Sequence, residues 1–156
     1  MKKVKYLVVL LLGILVITGC GKEEAPSSTM VCTRTISQDA VSMDLKYTVT
    51  YQGDYVEKVE SVEKVTTDAT DELEKYKTTI EETYKPYTSI KYYDTDVKIE
   101  GNTLTSTVVI DYSKIDYNEF TKIDSANGQL FTEDGKVKLE TMESLYTTIG
   151  ATCTKK

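Results

Sequence analysis

VSMDLKYTVTY, residues 41–51, is the stretch that decides the fold, because its apolar and polar side chains alternate without a break. A period of two places successive side chains on opposite faces of a β-strand, so this stretch predicts a strand with one buried face. That face carries Val41, Met43, Leu45, Tyr47, Val49 and Tyr51. The following sequence QGD, residues 52–54, is a turn signal, and the chain is therefore expected to continue into a neighbouring strand.

Residues 55–65 lie beyond that turn and carry a pattern that fits neither regular element. Val56, Val59, Val62 and Val65 recur at every third position, whereas a strand repeats every two residues and a helix about every 3.6. Because valine is β-branched and the segment follows a clear strand and a turn, we predict a hairpin partner. A helix is the alternative that the pattern leaves open.

Three further segments predict strands on either side of this hairpin. Residues 30–36 alternate weakly and predict a short first strand. Residues 90–100 and 103–112 predict a second hairpin around Gly101-Asn102, a two-residue turn of the primed type.

Two apolar stripes at helical spacing predict two helices. The first covers residues 68–85, with Asp68 as its N-cap and Pro86 as its stop, and the second has Gly150 just past its end as a left-handed cap. Residues 113–123 are expected to contain a short helical turn, and residues 124–135 a loop. The two stripes consist of Ala69, Leu73, Tyr76, Ile80 and Tyr84, and of Leu139, Met142, Leu145, Tyr146 and Ile149.

These elements together predict an α+β fold. We expect an antiparallel sheet of about four to five strands with two main helices packed on one face, following an N-terminal signal and lipid-anchor segment. The expected division is a signal peptide at residues 1–19, a lipidated cysteine with a flexible tether at residues 20–29, and a single domain at residues 30–156.

The N-terminus has the pattern of a bacterial lipoprotein signal. Three lysines precede an apolar run at residues 6–17, and Ile17-Thr18-Gly19-Cys20 is similar to a lipobox. A transmembrane helix needs about 20 apolar residues, and the charged residues 22–24 end the apolar segment before it reaches that length. We therefore expect cleavage between Gly19 and Cys20, lipid attachment to the Cys20 sulfur, and anchoring at the extracytoplasmic face of the cell membrane.

The composition excludes some classes of partner. The whole chain carries a net charge of −6, and removal of the three leader lysines makes the mature form −9. An acidic chain without a basic cluster argues against nucleic-acid binding and against peripheral binding to anionic lipids. The membrane is thus the one partner that the sequence indicates, reached through the lipid on Cys20, and any protein or small-molecule partner is not identified.

The three cysteines divide into one anchor and one pair. If Cys20 carries lipid, Cys32 and Cys153 remain as an even pair near the two ends of the folded domain of an exported protein. Oxidising compartments favour closure of such pairs, and chain termini often lie close together, so we predict a Cys32–Cys153 disulfide. Two buried free thiols are the alternative.

Residues able to carry chemistry are sparse. The chain contains no histidine, so a nucleophile would lack its usual base, and zinc would lack its usual ligand. A serine–lysine pair could be formed by Ser113 beside Lys114 or by Ser61 near Lys64, but such neighbours are common by chance. We therefore predict no catalytic residues, no metal ligands, no cofactor and no enzyme activity.

Three other groups of side chains could form a binding site, each with a plainer interpretation. Asp124-Ser125-Ala126-Asn127-Gly128 faintly resembles a calcium loop but lacks an oxygen ligand at Ala126 and a glutamate at Gly135. Asp94 and Asp96 share one strand face, which is more typical of a solvated surface. A ligand groove is one interpretation of the following tyrosines, and core packing is the other: Tyr84, Tyr87, Tyr92, Tyr93, Tyr112 and Tyr117.

Two sequence segments resemble a known family. YTVTYQGDYVEK at residues 47–58 and VIDYSKID at residues 109–116, together with the lipobox, are similar to the YehR-like lipoproteins over nearly all of the mature chain. The resemblance implies a small α+β lipoprotein domain and supplies no catalytic residues. We expect a non-catalytic, membrane-anchored binding or structural module, with a small-solute or cation-binding (calcium) lipoprotein as the alternative.

Overall fold

The computed structural model describes residues 26–156. The predicted signal peptide, the cleavage site between Gly19 and Cys20, the lipidated cysteine and the first part of the tether lie outside the described residues. Within residues 26–156, no helix is long and apolar enough to cross a membrane.

The described chain forms one antiparallel sheet accompanied by three α-helices. The strands are β1 (Ser28–Gln38), β2 (Val41–Gln52), β3 (Tyr55–Thr67), β4 (Tyr93–Glu100), β5 (Thr103–Asp111), β6 (Val137–Lys138) and β7 (Thr152–Lys155). The helices are α1 (Thr70–Tyr84), α2 (Tyr117–Ile123) and α3 (Leu139–Thr148). The α+β class is therefore confirmed.

The strand count of four to five was too low, because the sheet has seven strands in the order β4-β5-β3-β2-β1-β7, with the two-residue β6 paired to β3. The two strands that the sequence did not reveal are β6 and β7. β7 is short and polar, so it carries no apolar alternation of its own, and it is held by pairing with β1. β1 itself begins at Ser28, inside the segment that we expected to be a tether.

A β-bulge explains the unusual valine spacing of β3. Tyr51 of β2 pairs with Val56 and Thr50 pairs with Lys58, so Glu57 is an extra residue in β3. This insertion allows Val56 and Val59, three positions apart, to face the core together. Beyond the bulge the strand alternates regularly, which buries Val65 and turns Val62 to the opposite face. Residues 55–65 are thus a strand, as predicted, and its period is broken by a single insertion.

The boundaries of α1 differ from those predicted. Its N-cap residue is Ala69 rather than Asp68, and Ala69 N donates instead to Thr67 Oγ1 at 3.2 Å. Pro86 does not end the helical path, because a 3₁₀ helix, Lys85–Ser89, continues directly from α1. Proline has no amide hydrogen and a fixed φ, both of which suit the first turn of a helix.

The helices cover one face of the sheet, and the apolar core lies between that face and the helices. α1 buries Leu73 and Ile80 in a smaller cluster with Val65 and Leu104. α3 buries Met142 in a larger cluster that includes residues of β1, β2, β3 and α2. The boundary between the two clusters crosses the middle of the sheet, and it is there that the candidate site lies.

Candidate functional site

A polar patch interrupts the core where the two apolar clusters meet. Ser61 and Glu63 of β3 lie between the buried Val59 and Val65 in the chain. These residues are spaced two apart along the strand, so all of them face the helix-covered side of the sheet. Ser106 of β5 pairs with Glu63 and is only 2 % exposed. We name Ser61, Glu63 and Ser106 the polar patch.

A cavity of about 230 Å³ opens over the polar patch. Three tyrosines form its aromatic walls: Tyr47 of β2, Tyr84 at the end of α1 and Tyr93 at the start of β4. The complete lining is Leu45, Tyr47, Ser61, Val62, Glu63, Tyr84, Tyr93, Ser106, Val108 and Ile110.

Glu63 accepts a hydrogen bond from one tyrosine and lies near two others. The Tyr76 hydroxyl donates a 2.6 Å hydrogen bond to Glu63 Oε1. Burial raises the pKa of Tyr76, and the hydrogen bond to the carboxylate raises it further. Burial also raises the pKa of both Tyr47 and Tyr84, and the negative charge of Glu63 adds to each increase. These phenols therefore remain protonated and neutral at neutral pH, and Tyr47 and Tyr84 line the cavity in that form.

The remaining groups of the polar patch also lie beside tyrosines. Ser106 is close enough to Tyr84 to lower its pKa by hydrogen bonding, and Ser61 has the same effect on Tyr146 of α3. Tyr146 in turn stacks on Tyr47, with 4.1 Å between ring centroids. Both helices are thus tied to the polar patch through tyrosines, which fixes the position of its hydroxyls.

A second cavity of about 300 Å³ adjoins the first and shares Tyr84, Tyr93 and Ile110 with it. Here the Tyr87 hydroxyl donates to Asp124 Oδ2 at 2.8 Å. Burial and then this hydrogen bond raise the pKa of Tyr87 to about 12. We name the two cavities together the tyrosine cleft. Its aromatic and charged residues are Tyr47, Tyr84, Tyr87, Tyr93, Tyr112, Phe120, Tyr146, Glu63 and Asp124.

The tyrosine cleft has an acidic character. Glu63 and Asp124 are the charged side chains among the residues that line it. Arg34 of β1 lies close enough to Tyr47 to lower its pKa slightly, but its guanidinium donates to the Ile149 carbonyl at the C-terminal end of α3. This basic charge is therefore bound to a helix terminus.

The structure brings together four of the six tyrosines that the sequence singled out. Tyr84, Tyr87, Tyr93 and Tyr112 line the tyrosine cleft. Tyr92 instead is 37 % exposed, and Tyr117 packs on Phe131 with 5.0 Å between centroids.

Sequence reasoning missed several residues of the site. Tyr47, Tyr146, Glu63 and Ser106 were not singled out as site residues, and Ser61 was considered only as half of a serine–lysine pair. Tyr47 and Tyr146 were assigned to the core by periodicity alone. The bulge in β3 hid the fact that Ser61 and Glu63 share a face with buried valines.

The serine–lysine candidates are not arranged for nucleophilic catalysis. Ser113 Oγ and Lys114 Nζ both donate to the Asp111 carboxylate, at 2.5 and 2.6 Å. Hydrogen bonding to Asp111 raises the pKa of Lys114, which keeps it protonated and unsuited to act as a base. Ser61 and Lys64 are three residues apart on a strand and so lie on opposite faces of the sheet.

The acidic segments considered above have other partners. The carboxylate of Asp124 accepts from Asn127 N at 3.0 Å and from Asn127 Nδ2 at 2.6 Å, as well as from Tyr87. Through Tyr87, Asp124 therefore links its loop to the 3₁₀ helix that follows α1. Asp94 and Asp96 lie on the exposed face of β4, where Lys98 pairs with Asp96 at 2.7 Å. Residues 26–156 contain no group of three or more cysteine or acidic side chains spaced to hold a metal ion.

The two cysteines of the domain face each other across neighbouring strands. Cys32 on β1 is directly opposite Cys153 on β7, and the sulfur atoms lie 2.00 Å apart, the distance of a disulfide. Such a bond joins residues that are 121 positions apart in the sequence. It would hold the edge strand β7 against the core.

Comparison with known proteins relates the fold to two solved structures. One is the NMR structure of E. coli YehR, with 21 % identity, a TM-score of 0.54, and coverage of 85 % of this chain and 92 % of that chain. The other is the NMR structure of a protein from Streptococcus pneumoniae TIGR4, with 14 % identity, a TM-score of 0.55, and coverage of 85 % and 87 %. No curated protein matches the chain significantly.

A family model extends this relationship to the sequence. The model described as protein of unknown function (DUF1307) matches residues 32–151. This match and the likeness to YehR confirm the resemblance to the YehR-like family. The chain belongs to the DUF1307 family of proteins of unknown function.

Proposed function

We propose that this protein is a lipid-anchored, extracytoplasmic lipoprotein that binds a small ligand in the tyrosine cleft and does not transform it. The observation that carries the proposal is the polar patch beneath the cleft. Three polar side chains occupy core-facing positions on two adjacent central strands, β3 and β5. Apolar residues at these positions would join the two core clusters, and burying polar groups in their place costs stability.

The organisation of the cleft supports a binding role over a packing defect. Each group of the polar patch has a tyrosine partner: Glu63 accepts a hydrogen bond from Tyr76, Ser106 lies beside Tyr84, and Ser61 lies beside Tyr146. A fixed arrangement of hydroxyls and a carboxylate in a concave, largely apolar site is the general form of a small-molecule site. Departures from the ideal core pattern are expected where a protein functions.

A dose-dependent melting experiment tests the binding role. The mature lipoprotein in detergent is heated in the presence of amines, sugars, amino acids and calcium, and a bound ligand raises the melting temperature by linkage. Ser106→Leu, which fills the first cavity, should abolish the increase, whereas Thr107→Leu on the opposite face should not. A ligand-induced increase that persists in Ser106→Leu, with amide NMR shifts outside the cleft, would refute the proposed site.

Membrane anchoring is supported by the lipobox and is tested separately. Cys20→Ala removes the sulfur that would carry the lipid, so the chain is expected to lose its diacylglyceryl mass and to keep an uncleaved leader. Mass spectrometry of the membrane fraction measures both. An unmodified Cys20 in the wild-type protein would contradict the anchoring proposal.

A non-catalytic role is supported by the arrangement of the candidate side chains. The chain has no histidine, and the serine–lysine candidates do not form nucleophile–base pairs. Hydrolytic turnover by purified mature protein, lost on a single change such as Glu63→Gln, would refute this part of the proposal.

A further inference from the structure

We infer that the ligand of the tyrosine cleft is a small organic cation, an alkylammonium compound whose charge is bound by Glu63. This inference rests on the proposed binding role of the cleft and adds the chemical class of the ligand. The observations that carry it are the sign of the charges in the cleft, their lack of cationic partners and the nature of the walls.

The acidic groups of the cleft have hydroxyl and amide partners instead of cationic ones. Among the ion pairs within residues 26–156, none includes Glu63 or Asp124. Glu63 accepts from Tyr76, and Asp124 accepts from Tyr87 and Asn127. A cationic ligand would therefore supply the opposite charge that these carboxylates lack, whereas an anionic ligand would meet repulsion.

The walls of the first cavity suit the two parts of an alkylammonium ion. Tyr47, Tyr84 and Tyr93 offer aromatic rings, which attract cations through the negative potential of the ring face. Leu45, Val108 and Ile110 offer apolar surface for alkyl groups. The Glu63 carboxylate can attract the positive charge, and the hydroxyls can bond to a polar group elsewhere on the ligand.

The same lining is unsuited to a bare metal ion. Calcium takes about six to eight oxygen ligands. The first cavity provides one carboxylate and a few hydroxyls among aliphatic and aromatic side chains. Its volume of about 230 Å³ also limits the ligand to a small molecule.

A set of three probes of similar size and different charge tests this inference. The probes are choline, its neutral isostere with a tert-butyl group in place of trimethylammonium, and the corresponding tert-butyl carboxylate. Each is titrated into isotope-labelled mature lipoprotein in detergent, and amide shifts at Ser61, Glu63 and Ser106 are followed. We expect choline to shift these amides with an affinity about tenfold higher than that of the neutral isostere, and the carboxylate to shift them least.

A matched pair of variants assigns the preference to Glu63. Glu63→Gln keeps the shape of the side chain and an oxygen that can accept from Tyr76, but removes the charge. It is expected to weaken choline binding about tenfold and to leave the neutral isostere unchanged. Glu60→Gln removes an equal charge from the exposed face of the same strand and should leave choline binding within about twofold of wild type.

The outcomes separate this inference from the binding role on which it rests. Equal or stronger binding of the neutral isostere or of the carboxylate at the cleft would overturn the cationic class and keep the binding role. Cleft shifts with none of the three probes would also overturn the cationic class, and the solute series above would then decide the binding role on its own.

Discussion

The Tyr76 hydroxyl on α1 donates a 2.6 Å hydrogen bond to Glu63 Oε1 on β3, and this bond joins the smaller apolar cluster to the polar patch. Leu73 and Ile80 of α1 contact the sheet only through apolar surface. Tyr76 therefore provides a directional contact that fixes the rotation of α1 over the cleft.

Removal of this hydroxyl tests its contribution to stability. Tyr76→Phe should lower the free energy of unfolding by about 1 kcal/mol, because a hydrogen bond to a partly exposed carboxylate is lost. Urea denaturation of the mature protein measures the change. Tyr92→Phe, at an exposed tyrosine, is the matched control and should change the stability by less than about 0.5 kcal/mol. Equal effects of the two changes would contradict the structural role given to Tyr76.

Alkaline pH should destabilise the protein through its buried tyrosines. Seven tyrosines have a pKa raised above 10.0 in the folded state, chiefly by burial. The unfolded chain loses these protons first, so the contribution to stability is complete below about pH 10 and declines as the pH rises towards the folded values. Each such group adds a slope of up to about 1.4 kcal/mol per pH unit.

Denaturation at a series of pH values, combined with tyrosinate absorbance, measures this effect. The free energy of unfolding should be nearly constant from about pH 8 to pH 9 and fall steeply by pH 11. Tyr112→Phe removes one deeply buried titrating group and should reduce the slope. A stability that stays level through pH 11, or normal titration of all tyrosines in the folded protein, would contradict the burial that the structure assigns to them.

The sequence was sufficient for elements that carry their own periodic pattern. β2 alternates throughout, the second hairpin contains Gly101 at a positive φ of 61°, and α3 ends before Gly150 at a φ of 85°. In each case the local sequence and the tertiary packing favour the same conformation, so the element can be predicted from its own residues.

The polar patch and the edge strand β7 could not be found in this way. β7 is a strand because β1 offers it an unpaired edge, and that edge exists only after the sheet has formed. Glu63 and Ser61 reach the core because Glu57 inserts into β3 and shifts the face of every later residue. The valine spacing shows that the alternation is broken but not which residue is inserted, and the candidate site depends on that position.

The smaller apolar cluster should depend strongly on Leu73. This residue of α1 is 1 % exposed and packs between α1 and the sheet. Leu73→Ala should cost about 2–5 kcal/mol, from lost burial and from the cavity that remains. Leu145→Ala on α3, at a residue 38 % exposed, is the matched control and should cost less than about 1 kcal/mol. Similar costs for the two changes, measured by denaturation, would show that α1 is not packed as the structure describes.

Closure of the Cys32–Cys153 disulfide should account for a large part of the total stability. The bond would close a loop of 121 residues, which stabilises a protein by about 4–5 kcal/mol in the chain-entropy model. Cys153→Ala should lower the free energy of unfolding by about this amount in oxidising buffer. Because β7 is an edge strand of only four residues, it should also lose amide protection against hydrogen exchange before β2 and β3 do.

Reducing conditions supply the control for this last prediction, because the wild type and Cys153→Ala should then unfold at nearly the same urea concentration. The residual difference would report only the side-chain contacts of the partly buried Cys153. Alkylation followed by mass spectrometry of the non-reduced mature protein counts the free thiols directly. Two alkylated cysteines at Cys32 and Cys153 would contradict the bond, and the stability of the domain would then have to come from the two apolar clusters alone.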